Sequence, residues 1–115
     1  MINLCIDFFL ILHNIKAINK INMDLLKIYN KKSLFATKNV GNELILVPVK
    51  NSVANMNELF TLNEVGSFVW KNINAQNTIE DITNAVAQEF EVDYQTAKND
   101  VLEFIEHLNI IISKV

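Results

Sequence analysis

The 115-residue sequence predicts an α+β domain in which a three-stranded antiparallel sheet is followed by three α-helices. Three observations lead there. Between Leu34 and Leu62 the apolar residues come in short runs and alternations bounded by turn residues, the signature of strands. After Asn63 they recur at helical spacing in three blocks, each opened by a capping residue. Gly occurs only twice and Pro once, so little of the chain is left for irregular loops.

The first strand is Leu34–Val40 and the second is Glu43–Val49, almost continuously apolar as ELILVPV. Gly41-Asn42 between them is a two-residue, Gly-first connection of the kind that closes a hairpin with a type II′ turn. Pro48 lacks an N–H and belongs where ladder pairing stops. Lys50–Asn55 is polar and reads as a loop, and Asn57–Leu62 (NELFTL) alternates well enough to make a short third strand.

Asn63 caps the first helix of this part, where Val65, Phe68, Val69 and Ile73 recur at helical spacing. Gly66 inside it costs about 1 kcal/mol of helix propensity against Ala, which asks for a packing reason; close approach of the sheet would be one. Thr78 opens the second helix with Asp81 at the capping-box position, and Ile79, Ile82, Val86 and Phe90 form one stripe. Asp93 caps the third helix, Tyr94 to Asn109, with Ala97, Val101, Phe104 and Leu108 as the expected core stripe. Leu102 falls off that stripe, beside Lys98 and Ile105 on one flank. Asn99, Asp100, Glu103 and Glu106 make the opposite, acidic, solvated face. Sheet and helices together have a winged helix-turn-helix-like outline, the sheet standing in for the wing.

Residues 1–22 read as an N-terminal extension to a domain spanning 23–115. The stretch Met1–Leu12 (MINLCIDFFLIL) is apolar but is broken by Asp7 and ends at His13, well short of the about 20 apolar residues a membrane span needs. It lacks the basic start and small-residue cleavage site of a signal peptide. An upstream start site and a membrane-touching helix are the two readings of this extension.

Formal charge is −3, and the ten basic residues are all Lys. Phosphate neutralisation needs a basic surface and guanine readout favours Arg, so no nucleic-acid partner is expected. Cys5 is the only cysteine, which excludes an internal disulfide and gives no sign of an oxidising compartment; a cytoplasmic protein with no membrane partner is expected. His13 and His107 lie far apart, and no Cys/His cluster, phosphate loop or nucleophile elbow occurs, so neither catalysis, a metal nor a cofactor is expected.

The segment Phe60-Thr-Leu-Asn-Glu-Val-Gly-Ser-Phe-Val-Trp70 resembles the PqqD family pattern. In that pattern a short strand ends in Leu-Asn, a small residue follows three positions on, and an aliphatic-Trp pair comes next. Thr78-Ile-Glu-Asp-Ile82, Phe90-Glu-Val-Asp93, Asp100-Val101 and Phe104-Ile105-Glu-His-Leu108 match its later helices. Leu34-Phe-Ala-Thr-Lys38 sits where the family has its first hairpin. The resemblance covers Phe35 to Ile112, and its specificity lies in the ordered set rather than in any one motif. One departure is Asn109, which stands where the family has a Gly that caps the last helix.

The PqqD resemblance implies a RiPP recognition element (a peptide modification chaperone). Such a domain is non-catalytic, binds the leader of a ribosomally made precursor peptide and presents it to a modifying enzyme, often a radical S-adenosylmethionine protein. The implied mechanism is β-augmentation, the peptide adding as an antiparallel strand to the sheet edge. By position the edge is Asn57, Glu58, Leu59, Phe60, Thr61 and Leu62, and the groove wall Lys98, Val101, Leu102 and Ile105. Leu59, Leu62, Val65, Val69 and Trp70 read first as core, Trp70 as a pillar between sheet and helices. Two alternatives stay open: a winged-helix DNA-binding protein, disfavoured by the acidic face of the third helix, and an assembly subunit forming a homodimer through its edge strand.

Overall fold

The structure is a computed structural model that describes residues 22–50, 53–54 and 59–114. Helix α1 covers 22–31, followed by a 3₁₀ turn at Lys32–Leu34. Strands β1 (Phe35–Val40), β2 (Glu43–Lys50), β3 (Val53–Ala54) and β4 (Phe60–Leu62) follow. Helices α2 (Glu64–Asn72), α3 (Ile79–Glu89) and α4 (Tyr94–Ser113) complete the fold. All of the expected extension except Asn22 lies outside the described residues, as do Asn57 and Glu58 of the expected third strand. Among the described residues no helix is long and apolar enough to cross a membrane.

β2 is the centre of the sheet. It pairs antiparallel with β1 from Phe35↔Pro48 to Val40↔Glu43, and with β4 from Leu44↔Leu62 to Leu46↔Phe60. Because Leu44–Leu46 pair on both sides, β1 and β4 flank β2 as opposite edges. Gly41 takes a φ of 61°, and it alone supplies the positive φ of the two-residue turn, as a Gly-first hairpin requires. Pairing with β1 ends at Pro48, where the missing N–H stops the ladder. β2 then runs on to Lys50 and pairs with β3, which the sequence reads as loop. Two paired residues are too few for a periodic signal.

The caps are as expected. The Asn63 side chain accepts from the Gly66 N–H at 2.8 Å, and Asp93 accepts from the Thr96 N–H at 2.7 Å. Thr78 and Asp81 close a reciprocal capping box. One continuous core joins sheet and helices, and in it Trp70 stands edge-on to Phe35 of β1 at 5.8 Å between ring centroids.

Four further features depart from the sequence reading. Helix α1 has no counterpart in the sequence reading; Leu25 and Ile28 face the core one turn apart, and its outer face is exposed. Just beyond it Lys32 donates from Nζ to the Trp70 carbonyl at 2.8 Å and the Ile73 carbonyl at 3.0 Å, closing the C-terminus of α2. Burial pushes the Lys32 ammonium below its ordinary pKa.

Second, α4 does not stop at Asn109 but runs to Ser113, because Ile112 is buried and extends the core stripe by one turn. Third, that stripe is Ala97, Val101, Ile105, Leu108 and Ile112, with Phe104 moved to its margin and only half-buried. Fourth, Gly66 answers not to the sheet but to α4: a Cβ there would lie 2.6 Å from Phe104 Cε2 and 3.2 Å from Asn63 Oδ1.

Candidate functional site

β4 pairs with β2 on one side, and among the described residues no strand pairs with its other side. Among the described residues its outward backbone N–H and C=O groups thus have no strand partner, and such groups can hydrogen-bond an added strand. Along it Leu62 is buried and anchors the strand, Phe60 is half-buried against the core, and Thr61 is exposed. Leu59, just before the strand, is 45% exposed, a large apolar side chain beside an open edge.

The residues expected to form the groove wall separate by burial. Val101 and Ile105 lie inside the core, at 0% and 3% exposure, and offer no free side-chain surface. Lys98 and Leu102 are half-buried at the edge of the core stripe. The Lys98 ammonium sits 5.9 Å from the centre of the Tyr94 ring, and the Tyr94 hydroxyl donates to the Glu80 carboxylate on α3. That hydrogen bond raises the Tyr94 phenol above its ordinary pKa. The flank bearing Lys98 and Leu102 thus leads from α4 toward the start of α3.

The flank that meets the end of β4 is a different one. At about 100° per residue, Phe104 lies about 160° around the helix from Leu102. Phe104, Asp100, Glu103 and His107 form one wall of an open cavity of about 250 Å³, and Asn63, Val65 and Gly66 form the other. Asp100 and Glu103 read in the sequence as a solvated face. The signal that could have placed them at a cavity is Gly66, since a glycine inside a helix marks where another side chain must pass.

Among the described residues there is no group of three His, Cys, Asp or Glu arranged to hold a metal ion. What the described residues form is an α+β module with one strand edge unpaired among them and, where that edge runs into α2, a cavity with an aromatic side and an acidic rim. The family model for coenzyme PQQ synthesis protein D (PqqD) matches residues 43–109, more than half of the chain. The chain belongs to the PqqD family. The match runs from β2 into the last third of α4 and stops short, at both ends, of the resemblance read over Phe35 to Ile112. No curated protein matches the chain. Among solved structures, the one described as "TbiB1 in Complex with the TbiA(beta) Leader Peptide" is similar, with a TM-score of 0.53 and 24% sequence identity. The similarity covers 66% of this chain and 83% of that one, and it extends the agreement to the fold.

Proposed function

We propose that this chain binds the leader of a ribosomally made precursor peptide and presents it to a modifying enzyme, without performing chemistry itself. The observation that carries the proposal is the edge of β4 that no described strand covers, in a member of the PqqD family. TbiB1, similar in fold, is a protein in complex with a leader peptide, which supports the same class of ligand here. The mechanism is β-augmentation. An extended peptide runs antiparallel to β4, its main chain hydrogen-bonds the free edge, and its alternate side chains reach the flank of the domain.

The edge we assign to this site is Asn57, Glu58, Leu59, Phe60, Thr61 and Leu62, while Lys98 and Leu102, on the flank of α4 that leads toward α3, stand apart from the end of β4. Val101 and Ile105 act from beneath, fixing the helix. A radical S-adenosylmethionine enzyme is the partner we assign by family, and the chain needs no cofactor of its own. An edge left open also suits pairing with a second copy, so a homodimer through β4 is the competing use of the same backbone groups.

The test is titration of the ¹⁵N-labelled chain with the leader encoded by a small reading frame beside its gene. Amide shifts are expected to cluster in Leu59–Leu62 and along α4. Shifts confined to β1 and β2 would sink the edge model.

A further inference from the structure

We infer that the cavity between the start of α2 and α4 receives a lysine or arginine side chain of the bound polypeptide, with Asp100 and Glu103 meeting its charge beside the Phe104 ring. This rests on the peptide-binding reading above and adds the chemical class of one residue of the ligand.

The position of the cavity comes first. Asn63 directly follows β4, so the cavity opens where that strand ends. A peptide antiparallel to β4 runs away from this end. The side chain entering the cavity therefore belongs to the N-terminal side of the paired stretch.

The lining then decides what enters. Asp100 and Glu103 are the charged groups of the wall, and no lysine stands among the lining residues. Phe104 gives an aromatic surface on which an alkyl stem or a guanidinium can lie. The start of α2 would by itself favour an anion, but the Asn63 side chain already occupies the Gly66 N–H at 2.8 Å, and the two carboxylates face it. A metal ion is a poor fit, since Asp100, Glu103 and His107 are not arranged as a ligand cluster. A cavity of about 250 Å³ is below the usual size of a small-molecule site and suits a single long side chain.

The experiment is selection of random dodecapeptides displayed on phage against the full chain and against its D100N/E103Q variant. These isosteric changes at exposed positions remove charge and leave the packing of α4 alone. On the wild type, enriched peptides are expected to carry Lys or Arg on the N-terminal side of an apolar extended stretch. On the variant the stretch is expected to persist while the basic residue loses its preference. The best basic peptide should bind the variant about three- to tenfold more weakly, the scale of two solvent-accessible ion pairs, and the gap should narrow at high salt. Enrichment of extended peptides with no basic preference, or an unchanged preference on the variant, overturns the cavity assignment and leaves the peptide-binding reading standing. No enrichment at all overturns both.

Discussion

The two flanks of α4 carry comparable apolar residues and meet different surroundings. On one, Lys98 and Leu102 lie toward the start of α3, where Tyr94 and Glu80 already close a contact between the helices. On the other, Phe104 lies across Gly66 of α2 and leaves an open cavity rimmed by Asp100, Glu103 and His107. An off-stripe leucine is thus a weaker guide to an open cavity than a half-buried aromatic beside a helical glycine. Neighbouring elements settle how much of a helix flank is free, and they are invisible from the helix alone.

The largest expected effect tests whether Ile105 is core or groove. Because it is 3% exposed and packs in the central cluster, Ile105→Ala should lower stability by about 2–5 kcal/mol in urea unfolding. A variant that unfolds like the wild type yet binds peptide poorly would return Ile105 to the groove wall and reverse the assignment of the two flanks.

Next comes the contact that defines the cavity. Gly66→Ala regains about 1 kcal/mol of helix propensity but puts a Cβ against the Phe104 ring, where overpacking costs about 1–3 kcal/mol. Net destabilisation is expected, and pairing it with Phe104→Leu should recover most of the loss, a coupling that a double-mutant cycle measures. If Gly66→Ala stabilises the protein, Phe104 moves aside freely and the cavity has no fixed aromatic wall.

How much of this was legible in the sequence follows from which interactions are local. Asn63, Thr78-Asp81 and Asp93 announce the starts of α2, α3 and α4 because a cap is a contact across three residues. The Gly41 turn is equally local. The margin of α4 is not legible because a core stripe spanning about 80° can be centred on either side, and only the packing of α2 and α3 chooses between Phe104 and Ile105. The length of α4 and the presence of α1 depend on Ile112, Leu25 and Ile28 finding the core, which no window of sequence shows. The place of β4 beside β2 was not legible from its own residues, since a strand's position in a sheet is set by residues far from it in the chain.

The smallest expected effect concerns the point from which both flanks of α4 are measured. Hydrogen bonds from Thr96 hold the Asp93 carboxyl below its ordinary pKa of 3.8. A depressed carboxylate pKa means that the folded state binds its proton less readily than the unfolded chain. The stabilisation is therefore fully present above the unfolded value and is lost as pH falls through the folded one. Asp93→Asn keeps a good capping side chain and removes only the charge. Its melting temperature should fall slightly below that of the wild type near neutral pH, and the two curves should begin to converge as the pH drops below about 4 and meet below the folded value. A gap that persists at low pH would mean that the amide caps α4 less well than the acid on geometry alone.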